Sequence, residues 1–116
     1  MSDLVASLER SYQRENLPGL LAGMAPTMPG REAVREAAEA AFARYDRIDL
    51  ALTIDRIHLD GPTATVFLHW DGRWGAPDSG DGMVRQGAAR FVVASGEPLL
   101  LSDILGDSPF VPVSRP

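Results

Sequence analysis

The hydrophobic period of this chain changes once, near Asp46, from about 3.6 residues to 2, and that switch restricts it to folds in which helices come first and a sheet follows. From Asp3 to Glu15, Leu4, Val5, Leu8 and Tyr12 recur at helical spacing against Glu9, Arg10, Gln13 and Arg14, with Ser2 available as N-cap. A short second helix is expected after Asn16 as cap. It has Pro18 in its first turn, Leu17, Leu20, Leu21 and Met24 as its buried stripe, and an end near Gly23. Ala25 to Gly30 holds two prolines and a glycine and suits only a short loop. The third helix, Arg31 to Tyr45, puts Val34, Ala37, Ala38, Ala41, Phe42 and Tyr45 on one face, where the small alanines allow close approach to a sheet.

After Asp46, Ile48, Leu50, Leu52 and Ile54 alternate with Asp49, Ala51, Thr53 and Asp55, the pattern of a half-buried strand. The apolar phase then slips. One extra residue near Asp55-Arg56 would return Ile57 and Leu59 to the buried side, so a β-bulge is predicted there. Asp60-Gly61-Pro62 turns into a second strand, Thr63 to Trp74, in which Ala64, Val66, Leu68 and Trp70 face inward and Thr65, Phe67, His69 and Asp71 outward. Gly75 to Gly82 reads as a long loop, Met83 to Ala94 as a third strand, Ser95 to Pro98 as a turn, and Leu99 to Leu105 as a fourth strand. The result is a single α+β domain over residues 1–116, with three helices on one face of a four-stranded antiparallel meander. The third and fourth strands are apolar on both parities: Phe91 and Val93 against Val92, and Leu99 and Leu101 against Leu100 and Ile104. Helices cover one face only, so the other face is expected to meet a second copy, the tail Phe110 to Val113 being the alternative cover.

The 116 residues, 45% of them apolar, provide one core and no more, and no apolar run approaches the ~18 residues that span a bilayer. A net charge of −5 opposes binding to nucleic acid or anionic lipid. All 11 basic residues are Arg, a mark of codon composition rather than chemistry. The chain has no Cys, which removes disulfides, thiolate metal sites and a Cys nucleophile. Its N-terminus lacks a basic segment followed by an apolar one, and a cytoplasmic location is expected.

Four pieces in this order resemble the nuclear transport factor 2-like superfamily, which includes SnoaL-like cyclases, ketosteroid isomerases and many bacterial proteins. They are Asn16-Leu17-Pro18-Gly19-Leu20-Leu21, Gly30-Arg31-Glu32-Ala33-Val34-Arg35, Gly61-Pro62-Thr63-Ala64-Thr65-Val66 and the closing Leu101 to Phe110. The resemblance covers nearly the whole chain. It implies a cone, a cystatin-like roll whose curved sheet wraps the third helix around an apolar pocket. Two departures bear on activity. The β-hairpin that most members carry between the second and third helices is reduced to Ala25 to Gly30. Leu8 and Ala89 stand where the isomerases have the Tyr and the acid of their oxyanion site, so that chemistry does not carry over.

Tyr12, Phe42, Tyr45, Trp70 and Phe91 are the expected ligand-contacting residues, with Trp70 as pocket wall, the Tyr12 hydroxyl at the rim, and Trp74 of lesser weight beside the loop. His58 and His69 fall over ~10 Å apart along a sheet and cannot share an ion, so no metal is expected. His69 and Asp71 share an outer face, where the carboxylate could orient the imidazole as a base. Asp103 interrupts an apolar strand and would need a partner such as Arg90 or Arg85, or would act as an acid or base. Asp78 and Asp81 lack the alternation of a calcium loop, and Ser108 in Gly106-Asp107-Ser108-Pro109 lacks the final Gly of a nucleophile elbow. The first expectation is therefore a small homodimeric binding module with an apolar pocket, no cofactor and no identifiable catalytic apparatus. One alternative is a SnoaL-like isomerase, cyclase or hydratase acting on a small hydrophobic carbonyl compound, with Asp103 or His69 as acid or base. The other is a non-catalytic assembly or scaffold protein whose pocket is filled by its own side chains.

Overall fold

A computed structural model of the chain describes residues 2–75, 82–96 and 99–110. The helices are α1 (Ser2–Gln13), α2 (Leu17–Ala22) and α3 (Arg31–Arg44), and the strands are β1 (Arg47–Asp60), β2 (Thr63–Gly75), β3 (Gly82–Ala94) and β4 (Leu100–Gly106). The strands form one antiparallel sheet in the order β1-β2-β3-β4. This is the α+β arrangement that the period switch requires. Ser2 is the first helical residue of α1 rather than its cap. That helix closes with the Glu15 and Asn16 N–H groups bonded to Tyr12 O and Ser11 O, and Glu15 takes the left-handed conformation (φ 55°) that such an ending demands. Asn16 caps α2 as expected, accepting the Gly19 N–H at 3.1 Å.

Register defines two faces. Ile48, Leu50, Leu52 and Ile54 lie opposite Trp74, Gly72, Trp70 and Leu68, and these continue on β3 to Met83, Arg85, Gly87 and Ala89. This is the inner face, and Leu8, Tyr12, Leu20, Met24, Val34 and Ala38 of the helical layer share its buried core. The register shift between Ile54 and Arg56 is the expected bulge, and it sets Ile57 opposite Val66 and Leu59 opposite Ala64, both inner-face partners. Their burial does not follow. Ile57 is 42% and Leu59 73% exposed, because parity decides the face while cover depends on a helix being there.

Both sheet edges receive partial cover. At β1 the Leu50 and Leu52 N–H groups donate to Gln13 Oε1 (3.1 Å) and Glu9 Oε2 (2.8 Å) of α1, two residues one helical turn apart meeting two residues one pleat apart. At β4, Leu101 exchanges backbone hydrogen bonds of 2.8 Å with Gly23 and Ala25, so the short link between α2 and α3 lies along that edge. The last described residue, Phe110, goes inward. Phe110 is fully buried against Tyr12 and Phe91, which corrects the idea that its segment covers the outer face. Residues 111–113 of that proposed cover, like the loop with Asp78 and Asp81, lie outside the described residues.

Trp74 is a central core residue rather than a marginal one, with 1% exposure. It shares parity with Trp70, and the two indoles meet edge to face at 6.4 Å. Two glycines make their slots. A Cβ at Gly72 would run into the Trp74 ring, and one at Gly87 would stand 2.8 Å from the Trp70 ring. Trp70→Ala and Trp74→Ala should therefore each cost about 3–5 kcal/mol in denaturant unfolding. A loss below about 1 kcal/mol at Trp74 would mean that its indole does not fill this slot.

Candidate functional site

The centre of the molecule is an aromatic cluster built by every layer. Tyr12 of α1 lies 5.3 Å from the Phe42 ring of α3, 6.3 Å from Trp74 of β2 and 5.4 Å from Phe110. Its hydroxyl does not reach the rim. It accepts a 3.0 Å hydrogen bond from Trp74 Nε1 in the buried interior, and Trp70 Nε1 finds the Asp107 carbonyl at 2.8 Å. Burial pushes the Tyr12 pKa up to about 12, the Trp74 hydrogen bond pulling the other way and the nearby Tyr45 adding to the rise. Tyr12 is thus a neutral phenol at physiological pH and cannot serve as a base. Four of the five expected ligand residues, Tyr12, Phe42, Trp70 and Phe91, belong to this cored cluster or its margin.

The fifth, Tyr45, packs at the same margin and borders open space besides. It follows the last turn of α3 and lines an open hollow of about 450 Å³ between that helix and the start of β3. Ala37, Ala40 and Ala41 form its helical wall, and Met83, Val84 and Arg85 its strand wall. Arg44 also borders it, its guanidinium 5.6 Å from the Tyr45 ring centre. Apolar surface with two guanidinium groups can hold a molecule that is apolar in body and negatively charged at one end. The helical spacing of Ala37, Ala41 and Tyr45 was visible in the sequence. Arg85 was named only as a possible partner for Asp103, although a charge between Met83 and Gly87 on an inward parity marks a strand end that helices leave open.

The two acid–base candidates lie on the other side of the sheet. His69 pairs with Thr53 on β1 and Ala88 on β3, on the outer face. Its partner is not Asp71 but Asp55, whose Oδ1 lies 2.8 Å from Nδ1, because the bulge turns that extra carboxylate toward β2. Both side chains are about half exposed, so the pair is solvated. Asp103 is opposite Val92, also outward. It accepts the Ile104 N–H at 2.8 Å, so its partner here is backbone rather than the guanidinium of Arg90 or Arg85. Among the described residues no group of three or more His, Asp or Glu could hold a metal, and no helix is long and apolar enough to cross a membrane.

No family model matches the sequence, and no curated protein matches it. Solved structures do match in shape. A candidate dehydratase of the nuclear transport factor 2-like family from Streptomyces avermitilis superposes with a TM-score of 0.75 at 16% identity, over 98% of this chain and 94% of that one. A ketosteroid isomerase-like protein from Erwinia carotovora atroseptica gives 0.69 at 14% identity, over 93% and 94%. A nuclear transport factor 2-like superfamily protein from Salmonella enterica gives 0.72 at 14%, over 98% and 89%. Helices packed on one side of a curved meander define the cone class of α+β proteins. Within it, this chain has the nuclear transport factor 2-like fold.

Tyr12 sets a pH limit that can be measured. Its folded pKa near 12 stands above the ordinary value near 10, so above pH 10 the unfolded chain loses that proton while the folded chain keeps it. Stability due to this group is constant below pH 10 and should fall by about 2–3 kcal/mol between pH 10 and 12. Tyr12→Phe should lower stability at pH 7 by about 1–3 kcal/mol, since Trp74 Nε1 loses its acceptor, and should flatten this alkaline slope. Unfolding midpoints measured across that range for both proteins check the sign, and an identical slope in the variant would exclude Tyr12 as its source.

Proposed function

We propose that this chain is a non-catalytic homodimeric binding module that takes a small apolar molecule with a negatively charged end. The observation that carries this reading is the hollow of about 450 Å³ whose walls are alanines, Met83 and Tyr45 and whose border includes Arg44 and Arg85. Tyr12, Trp70 and Phe91 lie in the packed core, with Phe42 at its margin, and do not line the hollow. The enzymatic alternative draws on the description of the Streptomyces avermitilis neighbour as a candidate dehydratase. It needs an acid or base at the cavity, whereas Asp103 and His69 face away from the helices, and the one strongly perturbed interior group among the described residues, Tyr12, is shifted toward neutrality.

The probe is anilinonaphthalene sulfonate, an aromatic body with one anionic group. Saturable binding at one molecule per chain to the folded protein is expected. Ala40→Trp, which fills the hollow from an exposed helical position, should weaken it about tenfold or more without moving the unfolding midpoint. Binding that Ala40→Trp leaves untouched would place the ligand elsewhere and remove the reading.

The second copy is proposed to lie against the outer face. Phe67, Ala88, Val92 and Leu105 supply its apolar part, and Arg56 stacks on Phe67 with the guanidinium 4.2 Å from the ring centre. The other end of this face is mixed, with Asp49, Asp71, Arg73 and Gln86 beside Ala51 and the exposed Val84 around a shallow groove. Ala88→Arg puts a long cation at an exposed point amid the apolar part. Sedimentation should show a dimer for the native chain and a monomer for this variant at micromolar concentration. A native monomer, or a variant that still dimerises, would count against this surface.

A further inference from the structure

We infer that β1 beyond its bulge is a second contact surface, and that its occupant is the same segment of another copy of this chain, paired antiparallel about His58. The inference stands on the edge of the sheet and does not depend on the outer-face contact proposed above.

The backbone sets the first condition. Leu50 and Leu52 turn their N–H groups away from β2, because Gln13 and Glu9 accept them at the open edge. Residues of that face of β1 therefore present N–H and C=O outward. The bulge restores Ile57 and Leu59 to the same face and to the same relation with β2, so their polar groups also point to the open edge. The shield stops before them. From Gln13 at Leu50 and Glu9 at Leu52, α1 runs opposite to β1, and it begins at Ser2. Seven residues beyond Glu9, at 1.5 Å each, advance it by about 10 Å, or about three strand residues past Leu52. That point is level with Asp55. Ile57 and Leu59 thus combine edge-directed backbone with side chains 42% and 73% exposed, the combination that sheet edges ordinarily avoid.

Side chains select the partner. With His58 facing its own copy, Ile57 meets Leu59 and Arg56 meets Asp60 on both sides of the two-fold axis. Ile57 and Leu59 are then the hydrogen-bonded pairs, as their outward N–H and C=O groups require, and the contact gains four backbone hydrogen bonds. Their side chains join on the inner face. Arg56 and Asp60 stand opposite each other on the outer face as pairs of unlike charge. Moving the centre to Ile57 would set Leu59 against Asp55 inside the bulge, and moving it to Leu59 would run into the turn at Gly61. Only the register about His58 uses residues 56–60 alone. A charged edge normally repels its own kind, but here the charges are complementary to themselves.

The chain has no Cys, so His58→Cys places one thiol on the proposed axis. Facing residues of a non-hydrogen-bonded antiparallel pair have Cα atoms about 4.5 Å apart, within the range of a disulfide. Under mild oxidation at micromolar concentration, H58C should form a covalent dimer about tenfold or more faster than Thr53→Cys, an exposed position on the same strand and face beside the stretch that α1 shields. Adding D60R, which sets Arg against Arg, should slow the reaction, and adding R56D with D60R should restore it. Repeating the comparison with A88R present separates this contact from the outer-face dimer: the H58C advantage persists there if the edge pairs by itself. Equal rates for H58C and T53C, or a rate indifferent to charge reversal at Asp60, would overturn the proposal.

Discussion

A buried indole N–H must find an acceptor, and the hydrogen bond from Trp74 to the Tyr12 hydroxyl is the constraint around which the other elements are placed. Gly72 lets the Trp74 ring fold back along its own strand, and Tyr12 must then lie at a fixed height above β2. That height positions α1 along its axis. Gln13, the next residue, and Glu9, one turn before it, then fall level with the Leu50 and Leu52 N–H groups of the edge strand. Phe42 and Phe110 close on the same tyrosine from α3 and from the segment after β4. One hydrogen bond in the core thus sets the register of the helix that guards the edge.

Patterning carried the architecture because each element's period is a local property. The change at Asp46, the cap at Asn16 and the bulge beside Asp55 all follow from residues close in the chain, and the structure has them where they were expected. Cover is not local. Ile57 and Leu59 have the right face and remain exposed, because α1 starts too late to reach them. Trp74 was undervalued for the same reason. Its nearness to a loop suggested the margin, whereas its parity with Trp70 and the intervening Gly72 identify a slot. His69 took Asp55 rather than Asp71 because a bulge adds a side chain to the outer face, a consequence of the predicted slip that sequence spacing alone does not reveal.

The candidate site was legible only on its helical side. Ala37, Ala41 and Tyr45 recur at helical spacing, but the opposing wall is contributed by Met83 and Arg85, almost 40 residues later, through pairing that β2 dictates. The interior between helices and sheet is occupied by Tyr12, Trp70, Trp74, Phe91 and Phe110, with Phe42 at its margin. This packing fits the short link between α2 and α3. With only six residues from Ala25 to Gly30 and with Ala25 bonded to Leu101, the link lies against β4 and forms no projecting wall. Aromatic side chains from helices and sheet, with Phe110, close the centre instead, and open space is left at the C-terminal end of α3.

The two proposed contacts between copies use different directions of the same sheet, and their geometry limits what both together could build. An edge pairing has its two-fold axis perpendicular to the sheet, through His58. A face pairing has its axis parallel to the sheet, beneath the outer side chains. Two such axes generate a closed tetramer only if they intersect; otherwise repeated use of both contacts propagates an open array. Intersection requires the face axis to pass beneath the point where the two copies of His58 meet, whatever its direction within the plane of the sheet. Arg56 belongs to both surfaces, stacking on Phe67 under one and opposing Asp60 in the other, so an assembly using both must share that guanidinium between a ring and a carboxylate.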